Sequence, residues 1–149
     1  MVVCADTSFL FAVYGNDVHT PKALRWSRSS RRPVRISELA EYELGNALRF
    51  AEFSKRLAAG QAATFWAQYE ADRVAGRVRV EVCNLAGVVA EARRLSGTHT
   101  LTGGHRGFDI LHVAAALVLG ADEFLTFDAN QKKLAESEGL AVTGIEGGV

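Results

Sequence analysis

Apolar and polar positions follow two different periods along this chain, and they predict short strands separated by longer helices. Residues 2–5 (VVCA) form an apolar run typical of a buried strand, while Val34–Ile36 and Val78–Val82 alternate apolar with charged residues. A fourth strand is expected after Gly120 and before Asp128, and Leu140–Ile145 is expected to be the last strand. The pattern therefore predicts about five strands.

Helices are predicted between these strands, because turn residues and capping residues bound the intervening segments. Thr20 and Pro21 suit a helix start, and Ser37 suits the cap of a long helix that runs to about Ala59, before Gly60. The expected helices cover residues 7–14, 20–29, 38–59, 61–75, 85–96, 108–119 and 129–138. Residues 97–107 (GTHTLTGGHRG) are the one long segment without such a pattern, and we expect a mobile loop there, over a nearby site.

Strands that alternate with helices favour an α/β fold, a three-layer α/β/α sandwich around a mostly parallel sheet. A chain of 149 residues suits a single domain covering residues 1–149. In open parallel sheets, function gathers beyond the carboxyl ends of the strands. Candidate chemistry is therefore sought in polar residues that follow strands directly.

Composition narrows the class of protein. Apolar residues make up 48% of the chain, yet stretches such as Val113–Leu119 are too short to span a bilayer, so no membrane partner is expected. The first residues lack a secretory signal pattern, and Cys4 and Cys83 lack the paired spacing of zinc ligands. A cytoplasmic protein with reduced thiols is the simplest interpretation.

Four acidic residues interrupt apolar surroundings. Asp6 follows the first strand and Asp128 follows the fourth, while Asp109 opens a strongly apolar helix. At 100° per residue, Glu43 and Asn46 fall on an apolar stripe of the helix that begins near Ser37, together with Leu39, Tyr42, Ala47, Phe50, Phe53 and Leu57. Two structural alternatives stay open: Asp109 could simply cap its helix, and Glu43 could pair with an arginine at a subunit contact.

If these four carboxylates share one cleft, something must offset their repulsion. Two ionised carboxylates ~5 Å apart repel by about 3 kcal/mol at an effective dielectric near 20, so the cluster needs protons or a cation. Oxygen ligands without cysteine or histidine favour Mg²⁺ or Mn²⁺, which suits hydrolysis of a nucleic-acid phosphodiester. Hydroxyls of Thr7, Ser8 and Thr126, and the Asn46 amide, are candidates for supporting contacts.

The net charge is zero, with 17 basic and 17 acidic residues, so a generally basic surface cannot attract nucleic acid. Basic residues are nevertheless concentrated between Asp17 and Glu38, where no acid occurs. Such a strip is either a solvated helix end or a surface for phosphates or an acidic protein partner. The candidate contacts are Arg25, Arg28, Arg31 and Arg32.

Four segments together resemble one family. The segments ADTSFL (5–10), ISELAEYELGNALR (36–49), GFDILHVAAAL (107–117) and LTFDANQKKLAESEGL (125–140) look like a PIN-domain ribonuclease, most closely of the VapC toxin type. This resemblance implies that Asp6, Glu43, Asp109 and Asp128 coordinate Mg²⁺ or Mn²⁺ and activate water to cut single-stranded RNA. It also implies a homodimer, possible hetero-oligomers with an antitoxin, and an antitoxin segment that covers the cleft.

Some features carry no role from the resemblance. The loop 97–107 varies among such proteins, so no function is assigned to its histidines, and His112 is interpreted as a structural histidine outside the catalytic set. A non-enzymatic alternative also stays open: a catalytically silent PIN-like module that keeps its acids for RNA binding or scaffolding. The specific RNA and the number of metal ions are not readable from one chain.

Overall fold

The computed structural model describes residues 1–142 and Ile145. Strands and helices alternate, as the sequence predicts. The strands are β1 (Val3–Ala5), β2 (Val34–Ser37), β3 (Val78–Glu81) and β4 (Glu123–Leu125). The helices are α1 (Thr7–Tyr14), α2 (Thr20–Ser29), α3 (Glu38–Phe53), α4 (Gln61–Val74), α5 (Leu85–Leu95), α6 (Leu101–Gly103), α7 (Gly107–Val118) and α8 (Ala129–Ser137), with a π-helix at Ser96–Thr100.

The four strands form one parallel sheet in the order β3-β2-β1-β4. Val3 pairs with Val34 on one side and with Glu123 on the other, so β1 lies in the interior of the sheet. The chain leaves β1 toward β2 on one side and later returns to β4 on the other. The strand order reverses at β1, and a crevice at such a point is where open parallel sheets bind ligands.

Two apolar cores cover the two faces of the sheet, because alternate strand residues point to opposite sides. Val3, Ala5 and Ile36 pack with α1 to α4, while Cys4 and Phe124 pack with α5, α7 and α8. Helices on both faces confirm the predicted three-layer sandwich.

The predicted fifth strand, Leu140–Ile145, is only partly within the described residues. Ala141 makes a single parallel bridge to Glu123, which extends the sheet beyond β4 at one residue. Residues 143 and 144 lie outside the described part of the chain. Within the described residues the sheet therefore has four strands rather than about five.

The long third helix is shorter than expected. It ends at Phe53 instead of continuing to Ala59, because Lys55 adopts a left-handed backbone conformation with φ of 64°. The amide of Leu57 then bonds back to the Ala51 carbonyl, and Leu57 is buried beside the end of the helix. No feature of the sequence around Lys55 predicts this left-handed conformation, so the earlier end of the helix could not be predicted.

The prediction of a loop at residues 97–107 is wrong for most of that segment. The α5 helix continues into the π-helix and then α6, and only residues 104–106 connect α6 to α7. Two side-chain contacts support this extension: the Thr98 hydroxyl donates to the Arg94 carbonyl, and His99 Nε2 lies 2.7 Å from Glu138 Oε2. The segment is thus an ordered helical extension rather than a flap.

Candidate functional site

Asp6 lies at the carboxyl end of β1, completely buried, and caps α1. Its Oδ1 accepts hydrogen bonds from the Phe9 amide (3.0 Å) and the Ser8 hydroxyl (2.7 Å), and its Oδ2 accepts one from the Thr126 hydroxyl (2.5 Å). Burial raises the pKa of Asp6 to about 6, although these three hydrogen bonds oppose the rise. A carboxyl group with no exposed surface thus sits at the reversal point of the sheet.

The same hydroxyls connect β1 to the segment that follows β4. Ser8 Oγ accepts from the Phe127 amide at 2.9 Å, and Thr126 Oγ1 accepts from the Asp128 amide at 3.0 Å. Ser8 and Thr126 therefore hold the segments that carry Asp6 and Asp128 together. Both hydroxyls contact the Asp6 carboxylate, whereas at Asp128 the contact is to the backbone amide, and their supporting role stays a prediction.

Asp128 and Asp109 lie close enough to interact and share one partner, Gln131. Asp128 Oδ1 caps α8 by accepting from the Gln131 amide at 2.8 Å, and the Gln131 side chain donates to Asp109 Oδ1 at 3.1 Å. Burial, followed by the charge of Asp128 and more weakly that of Glu43, raises the pKa of Asp109. These three acids therefore share one electrostatic environment at the carboxyl edge of the sheet.

Asp109 does not cap its helix. The N-cap position of α7 belongs to Arg106, and Asp109 lies within the first turn, half-buried. The structural alternative for Asp109 is therefore wrong. Its carboxylate instead accepts a hydrogen bond from Gln131 and interacts electrostatically with Asp128 and Glu43.

Glu43 is half-buried on α3 and contacts a histidine from α7. Its Oε1 lies 2.9 Å from His112 Nε2. Burial would raise the pKa of Glu43, but hydrogen bonds from His112 and Thr7 outweigh burial and lower it. The partner of Glu43 within the described chain is thus a histidine, whereas an arginine had been considered.

The apolar stripe predicted around Glu43 is wrong for its aromatic members, whereas Leu39 and Leu57 do pack against the cores. The buried face of α3 is formed by Ala40, Leu44, Gly45, Leu48 and Ala51. Phe50 and Phe53 are exposed, as are Tyr42 and Asn46. Glu43 immediately precedes Leu44 and lies at the border of the buried face, where one side of its carboxylate can meet His112. Asn46 stays a prediction, with its side chain on the exposed side of the helix.

The arginine strip divides between two regions. Arg25 and Arg28 are exposed on α2. Arg31 and Arg32 line a cavity of about 370 Å³ next to Val34 and Val78, at the amino ends of β2 and β3, and Arg32 forms an ion pair of 3.0 Å with Glu123. The acids lie at the opposite edge of the sheet, so Arg31 and Arg32 do not join them.

The donor chemistry of this edge fits a hard divalent cation, because every candidate ligand is a carboxylate oxygen. Burial is the largest cause of the raised pKa of Asp109, and the charges of Asp128 and, more weakly, Glu43 raise it further; a bound cation would offset this repulsion between carboxylates. Within residues 1–142 and Ile145, no three acidic, histidine or cysteine side chains are arranged to hold a metal ion. Coordination therefore requires side-chain movement toward a common point.

Two residues that contact the acids, His112 and Gln131, were not predicted from the sequence as part of the site. His112 had been assigned to the core, although its place one helical turn after Asp109 puts both on one face of α7. Gln131 lies three residues after Asp128, the position whose amide a capping aspartate contacts. The spacing of His112 from Asp109, and of Gln131 from Asp128, could therefore have predicted that both residues belong to the site.

Comparison with known families settles the fold family. The model of the PIN domain matches residues 3–137, nearly the whole described chain. The chain belongs to the PIN domain family. The match spans all four acids and all four strands of the described sheet, so the PIN domain interpretation of the sequence is confirmed.

Solved structures of similar fold agree with this assignment. The PIN domain described here is 22% identical to VapC20 of Mycobacterium tuberculosis, described as a Sarcin-Ricin loop cleaving toxin, with a TM-score of 0.67 over 88% of this chain and 93% of that one. FitAcB from Neisseria gonorrhoeae is 18% identical, with a TM-score of 0.59 over 95% of this chain and 96% of that one. PAE2754 from Pyrobaculum aerophilum is 20% identical, with a TM-score of 0.58 over 99% and 85%.

At these identities the similarity to the solved structures concerns the fold alone.

A comparison with curated protein sequences finds no match. Among the described residues of this PIN domain, no helix is long and apolar enough to cross a membrane.

Proposed function

We propose that this PIN domain is a Mg²⁺- or Mn²⁺-dependent endoribonuclease that cleaves single-stranded RNA. The observation that supports it most is the charge interaction of Asp109 with Asp128 and Glu43 at the carboxyl edge of the sheet, beside the buried Asp6. Carboxylates that repel one another favour a bound divalent ion, and the phosphodiester backbone is a substrate that such an ion suits.

The four carboxylates would hold the ion, which lowers the pKa of bound water and neutralises charge on the phosphodiester. The chain's own residues orient these ligands. Ser8 and Thr126 fix the Asp6 carboxylate, and Gln131 connects Asp109 to the start of α8. Supporting contacts of this kind commonly change metal affinity by 10–100-fold when they are removed.

We further propose that the protein acts as the toxin of a toxin–antitoxin pair. The VapC-type pattern of its motifs supports this role, and so does its similarity in fold to VapC20, itself described as a toxin. A cognate antitoxin, RNA as substrate, a homodimer, hetero-oligomers with the antitoxin and a cytoplasmic location belong to this proposal. The exposed Arg25 and Arg28 are the preferred contacts for RNA or antitoxin.

The decisive experiment is cleavage of a mixed single-stranded RNA pool by the purified protein with Mn²⁺ and with EDTA. We expect cutting in Mn²⁺, none in EDTA, and a loss of at least about 100-fold in Asp109→Asn. Asparagine keeps the size of the side chain and one oxygen for Gln131, so the fold should persist. Asp122→Asn, at an exposed acid bonded to the Val2 amide, is the matched control and should cut normally. Cutting that survives EDTA would refute the metal-dependent mechanism.

A second candidate is a silent PIN-like module that binds RNA without cleaving it. The geometry that favours it is the engagement of both Asp6 oxygens by internal donors. In addition, no three acidic, histidine or cysteine side chains among the described residues are arranged to hold a metal ion. RNA binding without cleavage in Mn²⁺ would favour this candidate over the nuclease.

A further inference from the structure

We propose that His112 is a positioning residue that holds the Glu43 carboxylate in place for metal binding. This inference rests on the proposed function and assigns a task to a residue that the motif of four acids leaves out. The imidazole acts through Glu43 by a hydrogen bond and does not itself need to touch metal or RNA.

The contact is short and enclosed. His112 Nε2 lies 2.9 Å from Glu43 Oε1, and the side chain of His112 is 1% exposed, whereas that of Glu43 is 32% exposed. The glutamate therefore presents part of its carboxylate to the site while the histidine holds it from the protein interior. A hydrogen bond to a carboxylate that water cannot easily replace is stronger than one on the surface.

The surroundings of the ring identify which nitrogen carries the proton. His112 Nδ1 is buried and has no hydrogen-bond partner among the described residues. A proton on Nδ1 would be a buried donor without an acceptor, whereas a proton on Nε2 can be donated to Glu43. The geometry thus assigns the ring proton to Nε2, the nitrogen that contacts Glu43.

His112 also connects Glu43 to the elements that carry the other acids. Thr7 Oγ1, directly after Asp6, lies 3.4 Å from His112 Nε2, and His112 follows Asp109 by one turn of α7. Three elements, α1, α3 and α7, therefore meet at this imidazole. A free glutamate side chain would sample several rotamers and lose that freedom on binding an ion, so a preset carboxylate binds more tightly.

The test compares Mn²⁺ affinity, measured by calorimetry on the purified full chain, across three variants. His112→Leu removes the donor while keeping an apolar side chain of similar size, and His112→Gln restores an N–H donor near the position of Nε2. His99→Leu is the matched control, because it removes another histidine–glutamate contact, of 2.7 Å to Glu138, which involves none of the four acids. Melting temperatures in EDTA report whether each variant folds.

We expect His112→Leu to weaken Mn²⁺ binding by about 10–100-fold, His112→Gln to stay within about threefold of the wild type, and His99→Leu to bind normally. Equal affinity of His112→Leu and the wild type would overturn this inference while leaving the nuclease proposal intact. So would a glutamine variant as weak as the leucine variant, because only loss of the donor distinguishes the two.

A metal-free measurement completes the test. In the protein with EDTA, the ¹⁵N chemical shifts of the His112 ring report which nitrogen carries the proton. We expect the proton on Nε2, and a proton on Nδ1 alone would overturn the inference. A wild-type protein that binds no Mn²⁺ would instead overturn the proposed function, and the positioning role with it.

Discussion

Replacing Asp6 by asparagine tests whether the buried carboxylate lowers the stability of the metal-free fold. Asp6 has no exposed surface, and its pKa is raised from 3.8 to about 6 by burial. Asparagine has nearly the same shape but no charge. Its oxygen can still accept from Ser8 and Phe9, and its NH₂ can donate to Thr126 once that hydroxyl turns toward Ser8, whose Oγ lies 3.3 Å away.

The size of the effect follows from the pKa of Asp6. Because the folded-state pKa is above the ordinary value, the folded protein holds this proton more tightly than the unfolded chain does. The free energy of unfolding therefore falls as pH rises from about 4 to about 6, by about 3 kcal/mol if the whole shift is expressed. Above pH 6, Asp6→Asn avoids this loss but gives up one strong hydrogen bond, so a gain of about 1–3 kcal/mol is expected.

Thermal unfolding followed by circular dichroism, in EDTA to exclude metal, measures this difference. For a chain of this size the gain corresponds to a melting temperature about 3–10 °C higher for Asp6→Asn at pH 7.5, with little difference at pH 4. Asp122→Asn, at an exposed acid, should stay within about 0.5 kcal/mol of the wild type. A melting temperature of Asp6→Asn at or below that of the wild type at pH 7.5, or a gain equally large at pH 4, would refute the reasoning.

Two further predictions concern the core and the basic surface. Leu44→Ala, at a fully buried position of α3, should lower the free energy of unfolding in urea by about 2–5 kcal/mol, whereas Phe53→Ala, at an 81% exposed position, should change it by less than about 1 kcal/mol. Equal losses would contradict the buried face assigned to α3. The double variant Arg25→Glu/Arg28→Glu should weaken single-stranded RNA binding and reduce its salt dependence, measured by fluorescence anisotropy, while Arg56→Glu, at an exposed arginine just after α3, should not. Unchanged affinity of the double variant would exclude this surface.

Helix-capping residues and apolar strand segments were the sequence features that predicted the structure well. Asp6, Ser37 and Asp128 each cap the helix that follows a strand, and their chemistry explains why these helix starts were predictable. The strands were predictable because alternate residues of a strand point to opposite faces of the sheet, and both faces of this sheet are covered by apolar cores. Three of the four acids were recognisable as unusual because they interrupt apolar segments at the ends of elements.

The errors arose where distant contacts override local preference. Residues 97–107 contain four glycines and two histidines, a composition typical of a loop, yet the Glu138 contact of His99 helps keep their first part helical. Helical periodicity also placed Phe50 and Phe53 on the buried face of α3, although small side chains such as Ala40 and Ala51 occupy it. Periodicity shows that a helix has faces, but which face is buried depends on the partners that pack there.

The hydrogen bond between Asp6 and Thr126 joins residues 120 positions apart. It crosses between β1 and β4, the first and last strands of the described sheet, so no fragment of the chain that stops short of β4 can assemble this edge. A growing polypeptide that already contains Asp6 and Glu43 thus lacks the arrangement of the four acids until the later segment has been made and has folded back. If the proposed nuclease function holds, the order of the strands would delay RNA cleavage until the fold is complete and so spare the machinery that synthesises the chain.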